Sequence, residues 1–188
     1  MRLFPDKNIF KRKDFLPIDI GDFMSYVAGE PTQAYWHGVS FQLDIDYRHV
    51  KPEVYLEYQE QFKKLIDKSL SGDWVIQPYQ PRKLFEWCQD DDNDKQTTGN
   101  LKRLLQSSPR FKGYLIVANQ EITDLFKDLF LFSFLTHSQD LMLFSSGKPL
   151  VVQFGQHLTL DVISTDFLLI ENMIALLEEY RFVVKIYQ

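Results

Sequence analysis

Cysteine is nearly missing from this chain: Cys88 is the only one in 188 residues. An internal disulfide is therefore excluded, and so is a metal site built from several thiolates. Glycine is scarce, at 8 residues, and no glycine-rich loop offers backbone amides to a nucleotide phosphate. The histidines are His37, His49, His137 and His157, and no two of them share the i, i+4 helical spacing of a zinc site. Positive charge is also in deficit, with 21 Lys plus Arg against 26 Asp plus Glu and a net charge of −5. Phosphate binding shows as a basic excess, so a general nucleic-acid coat is not expected. No run of roughly 18 apolar residues occurs; the most apolar stretch, Leu125 to Leu135, is broken by Lys127, Asp128 and Ser133. No membrane span is expected. The opening Met1-Arg2-Leu3-Phe4-Pro5-Asp6-Lys7 has no apolar h-region, so no signal peptide is expected either. With the lack of disulfides, this points to a reducing, cytoplasmic setting.

What the chain does have is aromatic residues: 16 Phe, 9 Tyr and 3 Trp, 15% of the sequence. Each buries a large apolar area, so much of this content must be core, and aromatics left at the surface favour a contact site. Apolar residues make up 45% and charged residues 25%, a globular composition whose length suits one domain.

The order of signals along the chain predicts one α+β domain over residues 1–188, with 1–16 as an N-terminal arm. In that arm Lys7, Lys11, Arg12 and Lys13 alternate with Ile9, Phe10, Phe15 and Leu16. It reads as a tail held down by apolar side chains, with a basic contact for an acidic partner as the sharper alternative. Pro17 to Ala28 predicts a short helix stopped at Gly29. From 34 to 47 the pattern alternates: Tyr35, His37, Val39, Phe41, Leu43, Ile45 and Tyr47 against Ser40, Gln42, Asp44 and Asp46. That is a strand with one face on a core and one in water. Pro52 opens a second helix, with Tyr55, Tyr58, Phe62, Leu65 and Ile66 at helical spacing. Trp74 to Gln77 reads as a strand, and Pro78-Tyr79-Gln80-Pro81 as extended chain.

Residues 90–99 are polar throughout and read as an exposed loop. Gly113 to Ala118 is an apolar run expected to form a central strand covered on both faces. Asn119 can cap a helix from Gln120 to about His137. Leu141–Phe144, Leu150–Phe154 and His157–Ile163, separated by short turn sequences, predict a three-stranded meander. Thr165 or Asp166 then caps a helix to Tyr180, whose Glu171, Asn172, Glu178 and Glu179 share a face, and Phe182 to Tyr187 is a last strand. The expected fold is a mixed, mainly antiparallel sheet with helices packed on it.

Several constellations invite a chemical reading. Asp44 and Asp46 lie two apart on one strand face beside Gln42, and two such carboxylates can share a divalent cation. With a histidine such as His49, they would suit a metal-dependent hydrolase or nuclease. A solvated strand face produces the same alternation without any metal. Asp90, Asp92 and Asp94 match the first ligand positions of a calcium loop, but Lys95 stands where glycine is needed and Leu101 where a bidentate glutamate is needed. Ser145-Ser146-Gly147-Lys148-Pro149 lacks the first glycine of a phosphate loop and reads as a hairpin turn. Cys88 beside Trp87 reads as a small core residue rather than a nucleophile. No Gly-x-Ser-x-Gly elbow occurs.

These absences favour a non-enzymatic, cofactor-free protein that binds another macromolecule. An acidic face with aromatic anchors suits a basic protein partner, since charge speeds encounter and aromatics supply the hot spots. A bacterial toxin-neutralising (immunity) protein, an inhibitor by binding, is one concrete form. The expected contact residues are Asp44, Asp46, Trp36, Tyr79 and the loop Asp90, Asp91, Asp92 and Asp94. A structural or regulatory subunit of an oligomer is a further alternative.

Overall fold

In the computed structural model the residues described are 2–4, 16–43, 56–61, 63–64, 72–78, 114–135, 141–154, 159–179 and 182–187. They form an α+β domain around one eight-stranded sheet. The strands are β1 (Arg2–Phe4), β2 (His37–Leu43), β3 (Trp74–Pro78), β4 (Tyr114–Val117), β5 (Leu141–Ser145), β6 (Leu150–Phe154), β7 (Leu160–Ser164) and β8 (Phe182–Tyr187). The helices are α1 (Ile20–Ala28), α2 (Asn119–Leu135) and α3 (Phe167–Glu179), and residues 56–61 are also helical.

The sheet order is β1-β4-β3-β5-β6-β7-β2-β8, and every adjacent pair is antiparallel. The meander expected near residues 141–163 is present as β5-β6-β7. Parallel relations exist only between strands that do not touch. β4 and β5 both run against β3, and α2 carries the chain over β3 from one to the other. In the same way β7 and β8 both run against β2, and α3 carries the chain over β2. The fold therefore holds two split β-α-β units, one on each side of the meander.

Both crossover helices serve the same face. Ile122, Leu125, Phe126 and Leu129 of α2 and Leu169, Ile170, Met173 and Leu177 of α3 join Val39, Phe41, Trp74, Ile76, Leu143, Val152, Phe154 and Val162 in the larger core. Tyr58 from the helical segment 56–61 closes on the same core, its ring 5.7 Å from Phe182. The opposite face is covered by α1. Phe23, with Leu16, Ile18 and Trp36, packs on Val75, Ile116, Met142, Phe144, Val151 and Ile163. Each meander strand thus contributes side chains to both layers.

α1 begins where Asp19 accepts from the amides of Gly21 and Asp22, at 2.8 and 3.2 Å. It ends at Gly29, whose φ of 71° lets the chain turn back while the Glu30 amide donates to the Ser25 carbonyl. Two expectations shift. β4 is buried on both faces, through Ile116 and Val117, but stands one strand in from the border because β1 pairs outside it. The even face of β2 does not simply meet water: Gly38 and Ser40 are buried. Gly38 lies in register with Ile163, in the row that α1 covers, so at the start of β2 the alternation marks two packed layers, while nearer its end Gln42 is only partly buried.

The turn before β3 is locked to the β5-β6 turn. The Ser146 amide donates to the Asp73 carbonyl and the Asp73 amide to Ser146 Oγ, each at 2.8 Å. Gly72, at φ 102°, has room for no side chain, since a Cβ would lie 2.8 Å from the Gly147 amide nitrogen. Gly72→Ala is expected to lower stability by about 1–3 kcal/mol. Phe144→Ala, at a fully buried ring 5.6 Å from Phe23, is expected to lower it by about 3–5 kcal/mol. Urea unfolding followed by tryptophan fluorescence checks both, and a Gly72→Ala midpoint equal to wild type would contradict the close approach.

Candidate interaction surface

The surface is assembled from three pieces of chain: the entry to β2, the outer side of α3, and β8. The entry is fixed by one carboxylate. Asp22, in the first turn of α1, accepts from the Gln33 amide at 2.6 Å, the Ala34 amide at 3.1 Å and Trp36 Nε1 at 2.9 Å. Donation by the Gln33 amide is the main cause holding the Asp22 pKa below its ordinary 3.8; partial burial pushes the other way, and the Trp36 and Ala34 donors add to the lowering. The Trp36 indole is thereby drawn inward, edge-on to Phe23 at 5.4 Å and stacked on Tyr26 at 5.8 Å. Trp36 is only 6% exposed, whereas its neighbour Tyr35 is 88% exposed. The aromatic displayed here is Tyr35 rather than the expected Trp36, because β2 begins at His37 and the alternation of 37–43 does not extend back through the Asp22-bound segment.

Two residues on, His37 packs edge-on against Phe167 at the start of α3, with centroids 5.0 Å apart. α3 is capped by Asp166, whose Oδ1 accepts from the Leu169 amide at 3.2 Å, while the Asp166 amide donates to Ser164 Oγ at 2.9 Å. The cap sets the helix phase. Leu169, Ile170, Met173 and Leu177 face the sheet, and Phe167 and Leu168 stay 54% and 63% exposed. Glu171, Asn172 and Glu179 are exposed on the same helix, as the spacing predicts, and Phe167–Glu179 contains no Lys or Arg. β8 completes the corner. Ile186 lies beside Val39 on the α3 side of the sheet and is 62% exposed. Val183 and Lys185 are exposed on the other side, in register with Gln42 and Ser40.

On that other side Ser40, Phe41, Gln42, Thr159, Val183 and Lys185 line a shallow depression of about 50 Å³. That is space for a water or two rather than for an organic substrate. Among the described residues there is no group of three or more His, Cys, Asp or Glu side chains placed to hold a metal ion. No described helix is long and apolar enough to cross a membrane.

Of the residues singled out from sequence, Asp44, Asp46, Tyr79, Asp90, Asp91, Asp92 and Asp94 lie outside the described residues, as do His49 and Cys88. The structure instead draws attention to Tyr35, Phe167, Leu168 and Ile186. Their signal was present in part: Phe167 and Leu168 precede the buried stripe of α3, whereas the place of Ile186 on a strand with one strand neighbour among the described residues is a long-range relation that periodicity does not carry. Compared with protein-family models, with curated proteins and with solved structures, the chain matches none.

The Asp22 clamp has a pH signature. A carboxylate whose pKa is lowered on folding contributes stability that is present above its unfolded pKa and lost as pH falls through the folded one. Asp22→Asn is therefore expected to be less stable than wild type at pH 7. The gap should close as the solution is acidified through and below 3.8, the ordinary value. Urea midpoints of both proteins across that range check it, and a gap independent of pH would remove the assignment.

Proposed function

We propose that the protein acts by binding another macromolecule, a basic protein, through the corner formed by the β2 entry, α3 and β8. The observation that carries this reading is where the exposed apolar side chains fall. The large ones among the described residues are Tyr35, Leu56, Phe167, Leu168, Val183 and Ile186; Tyr35, Phe167, Leu168 and Ile186 belong to these three pieces, while Val183 stands on the opposite face of β8. Concentrated apolar exposure beside polar surroundings marks a contact site. Phe167 and Leu168 are rigidly based on a capped helix, so they can act as anchors at little entropic cost. The neighbouring charge, Glu171 and Glu179 with no basic residue on α3, favours a partner of opposite sign, in keeping with the net charge of −5. A cytoplasmic toxin-neutralising role, in which binding masks a basic toxin, is one concrete form of such a protein.

The test is capture of partners from native lysate by the tagged protein and by its Phe167→Ser/Leu168→Ser variant, with low-salt and high-salt washes. Both positions are half exposed or more, so the variant is expected to fold, and circular dichroism verifies it. A basic protein held by wild type, released by salt and weakened at least about thirty-fold by the variant supports the reading. The same proteins retained equally by a folded variant would overturn it.

A further inference from the structure

The two borders of the sheet are built differently. β1 is three residues long, and a short edge strand resists further pairing. β8 is six residues long, Phe-Val-Val-Lys-Ile-Tyr, with no proline or glycine and one charge, Lys185. Among the described residues its strand neighbour is β2 on one side only. Long, β-branched, nearly uncharged edges are templates for strand addition unless something guards them.

We infer that β8 is the docking edge of the corner, and that its occupant is an extended, basic segment of the partner added as a ninth strand. This rests on the partner-binding reading and specifies its mode. The choice of occupant follows from charge and from which side chains stand on each face. A strand laid along β8 would send alternate side chains to the two faces of the sheet. Those on the α3 side meet Ile186, and α3, which packs on β8, carries exposed Glu171 and Glu179. Long cationic side chains fit there, their stems on Ile186 and their heads toward the glutamates. Those on the other side meet Val183 and Lys185, where apolar side chains fit and further cations do not. The sequence type that satisfies both faces alternates Lys or Arg with Val or Ile. A second copy of this chain satisfies them less well. Continuing the sheet through β8 of another copy would place its α3, equally acidic and without Lys or Arg, on the same side of the joined sheet.

The test uses a fluorescent short peptide alternating Lys and Val, a Glu and Val counterpart, and the full chain. Binding is read by anisotropy, occupancy of the edge by amide hydrogen exchange, and self-association by sedimentation. The expected result is saturable binding of the Lys peptide, at least about ten-fold tighter than the Glu peptide. Exchange should slow across Phe182–Tyr187, and a folded Glu171→Lys/Glu179→Lys variant should lose the preference. Three results would overturn the inference. The Lys peptide fails to bind; it binds while β8 exchange is unchanged, which puts the partner on α3 alone; or the chain self-associates with β8 protected in the absence of peptide, which makes the occupant a second copy. The second result leaves the corner as the binding surface. Failure of that broader reading shows separately, as retention of lysate partners by the Phe167→Ser/Leu168→Ser variant.

Discussion

The meander β5-β6-β7 sends apolar side chains to both faces of the sheet, and the rest of the architecture answers the need to cover them. Leu143, Val152 and Val162 point one way, and Phe144, Val151 and Ile163 the other. An apolar sheet face left in water forfeits about 1.5–3 kcal/mol for each large side chain it fails to bury, so a sheet of this kind needs two covers. The crossover helices of the split β-α-β units provide one. The other comes from a short helix, α1, which lies in the chain between β1 and β2 near opposite borders of the sheet, and that helix is bound down by hydrogen bonds. Asp22 ties it to the segment entering β2, and Trp36 is drawn between helix and sheet as part of the same contact.

This division of labour places the surface. α3 has to span β7, β2 and β8, and its buried stripe is used up in doing so. Its first turn reaches past the stripe, so Phe167 and Leu168 emerge at the point where β2 enters the sheet. β8 is last in the strand order because β2, inserted beside β7, occupies the position next to the meander. The edge, the helix start and the β2 entry therefore meet as a consequence of one crossover.

Much of the fold was legible in local signals. Turn sequences separated three apolar runs of strand length and marked the meander, Gly29 ended α1 where expected, and the glutamates of α3 lay at the spacing of one exposed face. Long-range relations were not legible. Nothing local to Leu3 and Phe4 distinguishes a tail from the edge strand that pairs with Tyr114 and Leu115. The alternation of β2 reads identically whether its second face meets water or another packed layer, and only α1, folded against the row containing Gly38, decides it. The exchange of roles between Tyr35 and Trp36 has the same origin. A polar partner fourteen residues upstream, Asp22, sets which aromatic turns inward, and periodicity carries no information about such a bond.

The corner is also where the fold can change without loss of its own support. Phe167, Leu168, Ile186, Glu171 and Glu179 belong to neither core cluster, although each is attached to an element that does. Substituting them leaves Leu169, Ile170, Met173 and Val184 in place against the sheet, so these positions can vary while their base stays packed. The contrast with Trp36 is instructive. An aromatic residue that holds α1 to the sheet through both its ring and its indole N–H cannot be given over to a partner without uncovering Phe23 and Phe144. The crossover helix α3, already secured by its buried stripe, has exposed side chains that neither sheet face needs.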